Sequence, residues 1–101
     1  MNSHEVLIEA FGRLPDLVQG AVQGLSAEQL RRPPAEGANT VAWLVWHLTR
    51  VQDSHVAELL DAEQVYLSGG WAAKFSLEPD PSDTGYGHTA AQVAAVAPAS
   101  W

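Results

Sequence analysis

The chain has 101 residues, 12 Asp and Glu against 5 Lys and Arg for a formal charge of -7, no Cys, and 47% apolar residues. Charge of this sign opposes phosphate backbones and anionic lipid, so nucleic acid and membrane are excluded as partners; without Cys there is no disulfide framework and no thiolate from the chain itself. The longest apolar run, Val41 to Trp46, is six residues, far below the roughly 20 that cross a bilayer, and the Met1 to Glu5 start lacks a basic segment leading into an apolar one, which together read as a cytoplasmic protein.

Length allows one domain. In the first segment Leu7, Phe11, Leu14, Val18, Ala21 and Leu25 follow spacings of 4, 3, 4, 3 and 4, one face of a helix. Pro15 lies inside that run and removes a hydrogen bond, so one helix over about 3–24 is expected, kinked near Phe11 and Gly12. Ser26 with Gln29 forms a capping-box pattern that opens a short helical turn through Leu30, ended by Pro33-Pro34. Asn39 or Thr40 then caps a long helix over about 40–60, free of Gly and Pro. On it Val41, Leu44, Val45, Leu48, Val51, Val56 and Leu59 fill an arc of about 140° at 100° per residue. Trp43 and Trp46 fall off that arc, so the helix meets a second neighbour or lies under a loop. Arg50 and Asp53, also outside it, read as a surface pair three residues apart. Over 61–101 the periodicity weakens. Ser68 to Phe75 suggests a short helix, Ser76 to His88 a long Pro-, Asp- and Gly-rich loop, and Thr89 with Gln92 another capping box.

Among chemistry-bearing residues the histidines stand first: His4, His47, His55 and His88. His47 and His55 share the long helix, but eight residues separate them by about 12 Å along the axis and about 80° around it, too far for one ion. No HExxH or HxxxH pair occurs, while a catalytic zinc centre takes three protein ligands. By spacing, His47 reads as a core-edge histidine with a satisfied hydrogen bond, and His55 as a packing residue on the apolar arc. The stripe Thr40, His47, Val51, Ser54 and Glu58 is a polar seam that lines either a pocket or a solvated groove edge. Neither a GxSxG elbow nor a phosphate-binding Gly-rich loop is found, and spacing assigns no catalytic residue.

The run NTVAWLVWHLTRVQDSHVAELL, residues 39–60, resembles the second helix of the DinB-like superfamily, which includes the N-terminal domains of mycothiol-dependent maleylpyruvate isomerases. Its most specific piece is Trp43 to His47. Residues 69–96 resemble an actinobacterial branch whose members mostly lack an assigned activity. The resemblance implies an all-α fold, a four-helix bundle in up-down-down-up order, of which this chain would carry one partial domain: two long helices and a loop-rich segment with short helices. It further implies a divalent metal, zinc or nickel, held by three ligands with His47 as the first. The others would lie on a third long helix beyond Trp101. Transfer of a low-molecular-weight thiol follows as the implied activity, with mycothiol as co-substrate and a small thiol or electrophile as partner. The alternative is a non-catalytic half-bundle that forms a homodimer or binds a small apolar ligand, with His47 structural.

Overall fold

The computed structural model describes residues 1–100; Trp101, the end of the expected loop-rich segment, lies outside them. Among the described residues the chain is all-α, with seven helices and no strand. They are α1 (Ser3–Gly12), α2 (Leu14–Val22), α3 (Ala27–Arg31), α4 (Val41–Leu60), α5 (Val65–Ser68), α6 (Trp71–Lys74) and α7 (Ala90–Ala95). None of the helices is long and apolar enough to cross a membrane.

The expected single first helix is instead two. Arg13 keeps a right-handed helical conformation (φ -79°, ψ -22°) but caps both α1 and α2, because Pro15 has no N–H to continue the ladder. Asn2 and Glu5 start α1 with a reciprocal capping box. α2 stops at Val22, ahead of the expected residue 24, as Gln23 turns extended and Gly24 takes φ +80°. The capping boxes at Ser26 and Thr89 both form and open α3 and α7. Thr40 caps α4, its hydroxyl accepting from Trp43 N–H at 2.9 Å. The expected helix over 68–75 is split: Gly69 and Gly70 separate α5 from α6, Gly70 being left-handed at φ +65°.

The core corrects the expected orientation of α4. Of the seven arc residues only Val45 is buried; Leu44, Leu48, Val56 and Leu59 are exposed, Leu59 at 84%. The packed side carries Ala42, Trp43, Trp46 and Arg50, against Val22, Leu30, Tyr66, Phe75, Val93 and Val96. Each indole carries a large apolar area that burial removes from water, and the 80–88 loop closes over both. So Trp43 and Trp46 do lie under a loop, while the aliphatic arc faces outward. α1 buries none of its residues.

Candidate functional site

Arg50 anchors the 80–88 loop on α4. The expected pairing with Asp53 forms, but beneath the surface, for Arg50 is wholly buried. Its guanidinium lies 4.0 Å from the Tyr66 ring centroid and donates to the carbonyls of Asp83 at 3.1 Å, Pro81 at 3.3 Å and Asp80 at 3.5 Å. The planar fork suits several carbonyls at once. Its Nη1 has no hydrogen-bond partner and sits 3.8 Å from the Asp53 carboxylate. That carboxylate is meanwhile used to cap α5, accepting from Val65 N–H at 2.9 Å and Tyr66 N–H at 2.7 Å. Within the loop, the Ser82 hydroxyl and amide both donate to Asp80 and hold its carboxyl below the ordinary range.

From this anchor the loop reaches the two indoles. Gly85 is buried at φ +96°. A Cβ there would stand 2.8 Å from Trp46 Cζ3 and 3.0 Å from both His47 Nδ1 and Trp43 Cζ2, so only glycine allows so close an approach. His88 stacks on Trp46, ring centroids 5.5 Å apart. The indole N–H of Trp43 donates to His88 Nδ1 at 3.1 Å. Because an indole nitrogen is only a donor, Nδ1 accepts, the His88 proton is on Nε2, and it is given to Asp83 Oδ1 at 2.8 Å. Both imidazole nitrogens of His88 are therefore occupied, which makes it a strut of the loop.

His47 differs. Half-buried, it stacks on Trp43 one turn earlier, centroids 4.6 Å apart and planes 16° from parallel. Its Nδ1 meets the backbone carbonyl of Thr84. A carbonyl only accepts, so Nδ1 carries a proton, and in the neutral imidazole Nε2 keeps its lone pair. This is the arrangement in which one ring nitrogen, held by a backbone carbonyl, orients the other as a ligand. His47 also borders an apolar groove of about 580 Å3 between the α1–α2 elbow and α4, with Phe11, Leu14, Leu48 and Val51 in its walls.

Of the polar seam, His47 and Val51 line the groove, Ser54 and Glu58 do not, and Thr40 serves as the α4 cap. His55, expected as a packing residue, is exposed and borders the same groove, because most of the aliphatic arc faces out. The residues that set His47, namely Trp43, Asp83, Thr84, Gly85 and His88, are absent from the ligand pattern read in the sequence. The one local signal was the pair of off-arc tryptophans, which demanded a cover.

A sequence model of the DinB superfamily matches residues 10–99. The chain belongs to the DinB superfamily. The crystal structure of a conserved protein from Enterococcus faecalis is similar, with a TM-score of 0.84 and 26% identity over 99% of this chain. This DinB-superfamily chain spans 59% of the length of that one. No curated protein matches it.

The family resemblance implied a metal with three ligands. Among the described residues no three His, Cys, Asp or Glu side chains are gathered closely enough to hold an ion. His47 fits one donor position, with a free and oriented nitrogen; the described residues do not make a complete centre, and no reaction step is assigned to a metal on them.

Proposed function

We propose that this DinB-superfamily chain is a cytoplasmic, metal-dependent protein in which His47 Nε2 is one ligand of a divalent ion, zinc or nickel, at the mouth of the apolar groove. The observation that carries the reading is the hydrogen bond from His47 Nδ1–H to Thr84 O, which leaves Nε2 as the basic nitrogen. A divalent ion bound there supplies Lewis acidity, lowering the pKa of a coordinated thiol or water. The chain's own contribution is positional. Trp43 holds the imidazole plane by stacking, the 80–88 loop fixes its tautomer, and the groove offers apolar walls to a substrate. Its volume of about 580 Å3 falls within the range of small-molecule sites. The proposed reaction class, transfer of a low-molecular-weight thiol such as mycothiol to a small electrophile, rests on the resemblance of residues 39–60.

The test is ion binding, followed by calorimetry and metal analysis with zinc and with nickel, in a chain extended past Trp101 toward the length of the similar Enterococcus faecalis protein, where the remaining ligands are expected. His47→Ala is expected to abolish the stoichiometric ion that His4→Ala retains. Unchanged ion content in His47→Ala overturns the proposal.

A further inference from the structure

We infer that His88 is a proton-sensitive latch, holding the 80–88 loop on α4 only while its imidazole is neutral, so that mild acid releases the loop and with it the contact that sets His47. That acid thereby weakens ion binding rests on the reading of His47 as a ligand; the latch itself does not.

The pattern of donors at one ring carries the inference. His88 Nδ1 accepts from the Trp43 indole N–H at 3.1 Å while Nε2–H donates to Asp83 Oδ1 at 2.8 Å. A second proton can enter only at Nδ1, where it faces an indole that is a donor and nothing else. The indole cannot turn aside, since Trp43 is buried and stacked on His47. The bond joining loop to helix is therefore lost, whereas the bond to Asp83 gains charge assistance, and the ring moves with its loop. The same Asp83 oxygen also accepts from the Gly85 amide at 3.0 Å. Gly85 is the residue seated against Trp46, Trp43 and His47, and the carbonyl before it, Thr84 O, is the partner of His47 Nδ1. One carboxylate oxygen thus links the His88 ring to the seat of His47.

The charges around the ring come from three elements. Asp83, on the loop itself, favours the imidazolium. Arg50 on α4, which donates to the Asp83 carbonyl at 3.1 Å, and Arg31 on α3, which borders the same cleft as His88, oppose a further cation. α7, AAQVAA, adds no charged side chain. His47 takes its own second proton at Nε2 and keeps the Nδ1–H bond to Thr84 O. Of the two histidines at the loop, only His88 loses a bond on protonation.

Proton–nitrogen-15 spectra of the tryptophan indoles, recorded on the 101-residue chain with a chelator present, test the latch. Between about pH 8 and about pH 5, either side of the ordinary imidazole value, the Trp43 indole N–H is expected to exchange with water roughly tenfold faster relative to that of exposed Trp71, the factor for one lost hydrogen bond. The midpoint should match the titration of the His88 ring, and the Gly85 amide should shift in step. In His88→Asn the side-chain oxygen replaces Nδ1 as acceptor and takes up no proton, so the Trp43 indole should stay protected throughout; His55→Asn should leave the response unchanged. A Trp43 indole still protected once His88 carries two protons overturns the inference, as does a His88 ring that stays neutral over the whole range or a response that persists in His88→Asn. If His88→Asn does not fold, the matched midpoints in the unaltered chain decide. The measurement involves no ion, so its failure leaves His47 standing as a ligand, and failure to bind an ion leaves the latch intact.

Discussion

A histidine becomes a useful donor when one of its nitrogens is already spoken for. In His47 that is Nδ1, held by Thr84 O; in His88 both nitrogens are committed, to Trp43 and Asp83, and the same side chain type is reduced to a strut. The seat that makes the difference is Gly85, whose backbone enters where any Cβ would strike Trp46, His47 and Trp43. Gly85→Ala combines that clash with a left-handed φ of +96° and is expected to cost about 1–3 kcal/mol. The check is a thermal melt, together with a red shift of tryptophan emission as the loop lifts off the indoles. An unchanged melting temperature would contradict the close seating. Arg50 shows how a residue type misleads when read alone: a charged side chain off the apolar arc is wholly buried because three carbonyls and an aromatic face replace its water.

At the scale of elements, what was legible in the sequence was local. α4 with its Thr40 cap and the capping boxes of α3 and α7 form where the pattern places them, because each rests on hydrogen bonds between residues three apart. α5 was not legible, since its first amides are capped by Asp53, 12 and 13 residues earlier in the chain. Asp53→Ala is expected to cost about 1–2 kcal/mol, as for loss of a helix cap. Hydrogen exchange should localise the effect, with Val65 and Tyr66 amides losing protection and α1 unaffected; equal protection in the variant would show that the cap contributes nothing. The apolar arc of α4 failed as a guide to the core for a different reason. Periodicity locates an apolar face without saying what lies against it, and here the two tryptophans off the arc took the packed side.

As a whole the molecule is two-sided about α4. One side is sealed by the 80–88 loop and the short helices, the other is an open apolar face bordered by α1, which buries nothing. Its radius of gyration of 14.5 Å exceeds the about 13 Å of a compact domain of 100 residues, as a chain with an unpacked first helix requires. Family resemblance marked His47, but not why it would serve: Thr84 lies 37 residues away, and no spacing rule reaches that far. The His47 ring stands at the border of the two sides and reports on both. Nitrogen-15 correlation spectra of its imidazole in the neutral form therefore test the account most directly. The expected result is the Nδ1–H tautomer, with the Nε2 resonance moving on addition of zinc. A His47 found as the Nε2–H tautomer, or one whose Nε2 is untouched by zinc, would contradict it.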